Sequence, residues 1–166
     1  MALMTEPRWL TPEQLCAWKK LIAVVELLPG ALESQLQRDS GLSHFEYFTL
    51  AMLSQAPERT LRMTSLAAQT NATLARLSHV VTRLERRGLV RREPCAEDRR
   101  ATNAILTPAG WTAVEAAAPG HVGTVLSTVI DPLTASDVAD LHRVMSRILE
   151  VLDPAHVMVA ASTTDD

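Results

Sequence analysis

The segment from Thr73 to Gly88 constrains this chain most. Leu74, Leu77, Val80, Val81 and Leu84 recur at the spacing of one helical face. The opposite face holds Ala75, Arg76, Ser78, His79, Thr82, Arg83 and Arg86, with Glu85 the one acid of the segment. Such a stripe must bury one side against a core and leave the other, arginine-rich side free. Gly88 is a natural left-handed helix stop. Upstream, Thr64 opens a short helix over 65–69 with Leu66 and Ala67 inward, and Thr70-Asn71-Ala72-Thr73 reads as a turn. Downstream, 89–93 and 101–106 read as two strands joined by a polar hairpin. Two helices across a tight turn, then a two-stranded hairpin, predict a winged helix-turn-helix.

Long helical patterns flank this unit. Thr11-Pro12-Glu13 supplies a cap, a proline at the first helical position and an acid for the helix dipole. Leu15, Trp18, Leu21, Ile22, Val25, Leu28 and Leu32 follow at helical spacing to about residue 38, and Pro29-Gly30 predicts a bend or two consecutive helices. Ser43 and Glu46 form a capping box for a second helix carrying Phe45, Phe48, Leu50, Met52 and Leu53. Thr107-Pro108-Ala109-Gly110 starts another helix, with Trp111 and Val114, which meets Pro119-Gly120 and resumes kinked through Val122, Val125, Leu126 and Val129. Thr134 to Asp137 cap a last helix bearing Val138, Leu141, Val144, Met145, Ile148, Leu149 and Leu152.

The expected fold is mainly α with a small β-wing. A winged helix-turn-helix domain spans 41–110, a helical dimerisation region comes from both termini (8–40 and 111–153), and 154–166 is a disordered tail. The terminal helices each carry an apolar stripe, best buried against each other and a second copy of the chain.

Charge sharpens the functional reading. Residues 57–100 hold ten arginines against five carboxylates, a balance of +5, while the rest of the chain carries −8, leaving the net −3. A basic middle on an acidic body suits one surface facing nucleic acid. No apolar run approaches the roughly 18 residues of a membrane span, and the first residues lack a signal-peptide core, so a cytoplasmic protein is expected. Cys16 and Cys95 are expected to be reduced, and no metal-ligand spacing occurs. His44, His79, His121, His142 and His156 are scattered and no nucleophile or phosphate-loop signature is present, so neither an enzyme nor a cofactor is expected.

Small and polar side chains at the start of a helix, with arginines after them, allow entry into a major groove. The DNA-binding candidates are Thr73, Ala75, Arg76, Ser78, His79, Thr82, Arg83 and Arg86, with Arg99 and Arg100 at the hairpin tip reaching the adjacent minor groove. Arg76 and His79 are expected at base edges, Arg83 and Arg86 at phosphates. Asp98 is expected in a salt bridge that fixes the wing, with Arg83 or an arginine at the hairpin base.

The runs R-L-E-R-R-G-L-V-R-R from Arg83, D-R-R from Asp98 and L-T-P-A-G from Leu106 are specific in combination. With 62–67 and 77–82 they make the chain resemble the MarR family of multiple antibiotic resistance regulators, over roughly residues 11–152. The resemblance implies a two-fold homodimer reading a near-palindromic double-stranded operator, and repression released by a small lipophilic or phenolic effector. His79 departs from the arginine common at its position. The effector cleft of the family points to Trp18, His44, Tyr47, Phe48 and Trp111. A redox-sensing branch of the family carries a cysteine on its first helix, which makes Cys16 a candidate and a thiol-based sensor of the same fold the alternative. A winged-helix protein-interaction module without DNA binding is the other alternative.

Overall fold

The structure, a computed structural model, describes residues 7–158 apart from 97 and 99. Six α-helices and three strands are defined there: α1 Pro12–Ser40, α2 His44–Gln55, β1 Thr60–Arg62, α3 Met63–Gln69, α4 Leu74–Arg86, β2 Val90–Pro94, β3 Thr102–Leu106, α5 Pro108–Val125 and α6 Ala135–Leu152. A mainly α chain with a small β-wing is what the sequence predicted. The strand β1 and the 3-10 turn Pro57–Arg59 before it were not expected.

Caps anchor these helices where the sequence placed them. Thr11, Ser43 and Thr134 each close a capping box, with Gln14, Glu46 and Asp137 reaching back to the cap amide. The short α3 starts earlier than predicted, at Met63 instead of residue 65, and has no side-chain cap. Pairing of β1 carries the backbone directly into it. Neither proline pair breaks its helix. α1 runs on through Pro29, so the alternative of two consecutive helices is corrected. α5 runs through Pro119 and passes into a π-helical turn, Leu126–Ile130.

The sheet has the order β1-β3-β2, antiparallel throughout. Thr60 pairs with Ile105 on one side of β3, and Val90 pairs with Leu106 on the other. Ala104 and Leu106 on β3 are buried, which turns this face of the sheet to the core. There Leu36 of α1, Leu50 and Leu53 of α2, Leu66 of α3 and Leu77, Val81 and Leu84 of α4 are essentially inaccessible. Each such leucine contributes about 2 kcal/mol of burial free energy. Leu74, placed on the inner face by periodicity, is instead 50% exposed.

Two glycines and one threonine lock the wing to α5. Gly88 sits at φ 71°, the left-handed turn that ends α4. The Thr107 hydroxyl donates to the Gly88 carbonyl at 2.7 Å and accepts the Gly110 amide at 3.0 Å. A Cβ on Gly110 would lie 2.1 Å from the Leu89 carbonyl oxygen, so no other residue fits. The spacing between R-R-G-L-V and L-T-P-A-G thus has a packing reason.

The outer helices are left uncovered. α6 has no fully buried residue. Leu10, Leu15, Trp18, Val24, Val25 and Leu27 towards the N-terminus, with Val144, Val151 and Leu152, are exposed. Residues 154–158 turn back on α6, where the Asp153 carboxylate accepts the Val157 and Met158 amides. The rest of the expected tail, 159–166, lies outside the described residues, as does the segment 1–6 used in the targeting argument.

Candidate nucleic-acid interface

The helix α4 buries Leu77, Val80, Val81 and Leu84 and turns Ala75, Arg76, His79, Arg83 and Arg86 to solvent. Thr73 uses its hydroxyl to accept the Arg76 amide at 3.2 Å, so it serves as the helix cap. Asn71, in the turn joining α3 to α4, takes φ 47°, a conformation asparagine tolerates well.

Ser78 and Thr82 are only half exposed, because Arg92 of β2 lies across them. Its guanidinium donates to the Thr82 hydroxyl at 2.9 Å and reaches the Ser78 hydroxyl at 3.4 Å. The same group donates twice to Glu85, at 2.8 and 2.6 Å, and the Arg92 amide adds a third bond to that carboxylate at 2.9 Å. The one acid on α4 is thereby neutralised from the wing.

Arg83 does not pair with Glu85 or with Asp98. Its Nε donates at 3.1 Å to Glu46 on α2, and Arg87 approaches the other oxygen of that carboxylate at 3.8 Å. Burial alone would raise the Glu46 carboxyl. The Ser43 amide, Arg83 and Arg87 outweigh it and hold the group below the ordinary value. Asp98 accepts the Arg100 amide at 3.0 Å at the hairpin tip, and of its expected partners, Arg83 or an arginine at the hairpin base, Arg83 pairs with Glu46 instead. Arg100 is exposed there, and its neighbour Arg99 lies outside the described residues, as does Glu97. Arg76 stacks its guanidinium on the Phe45 ring, 4.3 Å from the centroid. A cavity of about 230 Å³ lies between the start of α4 and the wing, bounded by Leu74, Ser78, Arg92 and Arg100, which explains why Leu74 is not covered.

The five expected effector-cleft residues separate into three groups. His44, Tyr47 and Phe48 gather with His121 of α5: His44 stacks 6.4 Å from both Phe48 and His121, and Tyr47 tilts against His121 at 4.6 Å. Trp111 carries the Arg59 guanidinium 3.8 Å over its ring, and Trp18 is half exposed on α1. Burial lowers the His44 pKa, opposed by Glu33. Burial and the charge of His44 lower that of His121, while burial raises Tyr47. The Nδ1 of His121 is buried and has no hydrogen-bond partner among the described residues. Cys16 is exposed and Cys95 is buried beside the Arg62 guanidinium, and the two are not joined in a disulfide. Phe45, Glu46, Arg92 and His121 were missed as site residues. Their roles depend on α2, β2 and α5 meeting other elements, which no local spacing encodes.

Helix, turn, helix and hairpin arranged in this way define a winged helix-turn-helix protein. Comparison with known proteins gives the family. Its model, described as MarR family, matches residues 42–102. A MarR family transcriptional regulator from Streptomyces coelicolor, Sco3205, solved in complex with DNA, is 44% identical, with 91% of this chain and 94% of that one covered at a TM-score of 0.85. A second from the same organism, AbsC, is 40% identical at a TM-score of 0.82, covering 88% of this chain and 98% of that one. The HTH-type transcriptional repressor YetL of Bacillus subtilis is 33% identical over 85 residues, and the chain spans only 51% of that relative's length, with 51% of this chain matched. This chain belongs to the MarR family of transcriptional regulators.

Proposed function

We propose that the chain acts as a homodimeric repressor that reads a near-palindromic duplex, with α4 in the major groove and the β2–β3 wing along the adjacent minor groove. The observation that carries this is the outward face of α4. Arg76, His79, Arg83 and Arg86 all face solvent on it, while its one carboxylate is cancelled by Arg92. A face of that charge attracts phosphate, and its small Ala75 allows close approach to base edges. The relative solved with DNA supports the reading, and the relative described as a repressor supports repression. The uncovered apolar residues of α1 and α6 support a dimer, because a two-fold partner would remove both sets from water.

A small lipophilic or phenolic effector that releases repression is the proposed signal, binding at the ring cluster of His44, Tyr47, Phe48 and His121. Those rings offer apolar walls, and the His121 Nδ1 supplies an unsatisfied polar atom to fix a ligand's orientation.

Fluorescence anisotropy across a salt series tests the reading, using the DNA upstream of the protein's own gene and scrambled DNA as control. Preferential binding at one dimer per site, falling by roughly 10³-fold or more between 50 and 200 mM salt, is expected for a dimer making many phosphate contacts. Absence of binding at low salt would instead favour a winged helix used for protein contacts.

A further inference from the structure

Two consecutive residues of α2 touch the two arginines that lie two turns apart on α4. Phe45 places its ring under the Arg76 guanidinium at 4.3 Å. Glu46 takes the Nε of Arg83 at 3.1 Å. We infer that Phe45 and Glu46 are positioning residues for DNA recognition: they hold Arg76 and Arg83 in the orientation in which the duplex is met. The inference rests on the reading that α4 faces DNA and names what aligns its arginines.

The chemistry of each contact favours presentation over sequestration. The bond to Glu46 runs through Nε, neither terminal nitrogen of Arg83 makes a hydrogen bond among the described residues, and its side chain stays 53% exposed. Those two nitrogens form the fork that matches phosphate or a guanine edge. Stacking leaves the N–H groups of Arg76 in the plane of its guanidinium, available at the rim. Arginines at i and i+7 project from one face about 10 Å apart along the axis. Fixing both before binding removes rotamer entropy that association would otherwise cost. Glu46 is itself anchored at both oxygens. Its other oxygen accepts the Ser43 amide at 3.0 Å, and its side chain is 9% exposed. The base of the device is thus the capped first turn of α2, whose first residue, His44, belongs to the ring cluster with His121.

Charge alone predicts the opposite of this inference, which makes it testable. Glu46→Gln removes a negative charge close to the DNA-facing surface yet keeps an oxygen for the Ser43 amide. Electrostatics by itself would tighten binding. Positioning predicts weakening by about tenfold, the size of one preorganised charge-assisted contact. Phe45→Leu is expected to weaken binding severalfold, with rescue by Phe45→Tyr, which restores the π face.

Affinities are read by anisotropy on a duplex selected from a random pool by the wild-type protein, with circular dichroism and thermal melting to confirm folding. In the Arg83→Ala background Glu46→Gln is expected to have no further effect, and likewise Phe45→Leu in the Arg76→Ala background. Unchanged or tighter binding by a folded Glu46→Gln protein overturns the positioning role while leaving the α4 reading intact. Failure to select any duplex, or full binding by the Arg76→Ala, Arg83→Ala double variant, overturns the α4 reading and this inference with it.

Discussion

At the scale of single residues, the strictest requirement falls on Gly110. The Leu89 carbonyl occupies the space of any side chain there, so Gly110→Ala is expected to lower stability by about 1–3 kcal/mol through overpacking. Chemical denaturation would show a lower midpoint, and an unchanged midpoint would contradict the close approach. The histidine pair gives a second prediction. Both imidazoles titrate below the ordinary histidine value in the folded chain, chiefly because burial disfavours their charged form. The unfolded chain therefore takes up protons first as pH falls. The contribution of the pair is complete above about pH 6.5 and is lost as pH drops through the window below it. Melting temperature is expected to fall between pH 7 and 5.5, before the carboxylates titrate, and less steeply in His121→Phe. Equal slopes in the two proteins would remove the pair as the cause. The glycine was visible in the sequence as part of L-T-P-A-G. The pairing of His44 with His121 was not, because 76 residues separate them and only the packing of α2 on α5 joins them.

At the scale of elements, the Arg92 side chain ties the wing to α4. Arg92 joins β2 to Glu85, Thr82 and Ser78 on α4. Replacing it by Met keeps the aliphatic stem but leaves the half-buried Glu85 without its partner. We expect Arg92→Met to cost about 1–2 kcal/mol of stability, discounted because both groups retain some solvent. We also expect it to weaken DNA binding by more than an exposed neutral substitution would. Amide hydrogen exchange in β2 reports the loosening directly, and unaltered exchange there would refute the coupling. The helices themselves were legible because periodicity, caps and stops agree locally. Boundaries drifted where pairing overrode propensity, as at β1, which takes three residues that no alternation marks and feeds them into α3. The left-handed pair Glu58 and Arg59 before it was equally invisible, since neither is a residue that favours positive φ. Arg59 stacks on Trp111, a contact made only once α5 is in place.

At the scale of the whole molecule, the uncovered stripes on α1 and α6 carry the proposed dimer. Val138, Leu141, Met145, Ile148 and Leu149 of α6 are only half covered, and Val144, Val151 and Leu152 are exposed. Removing residues 134–166 is expected to give a monomer by light scattering at micromolar concentration, with the winged unit still folded by circular dichroism. A truncated chain that still ran as a dimer would move the interface elsewhere. Loss of the dimer would also weaken binding to a two-half-site duplex far more than to a single half-site, because tethering two weak contacts raises their effective concentration.

The sequence alone determined the helix-turn-helix, the hairpin after it, the caps and the arginine face, because each depends on residues a few positions apart. It also placed the family, through runs whose spacing is fixed by the contact of Gly110 with the Leu89 carbonyl. Tertiary structure alone decided which partner each arginine takes: Glu46 for Arg83, Phe45 for Arg76 and Glu85 for Arg92. A guanidinium binds any carboxylate or ring within reach, and reach is set by how helices pack, a property that no local pattern carries.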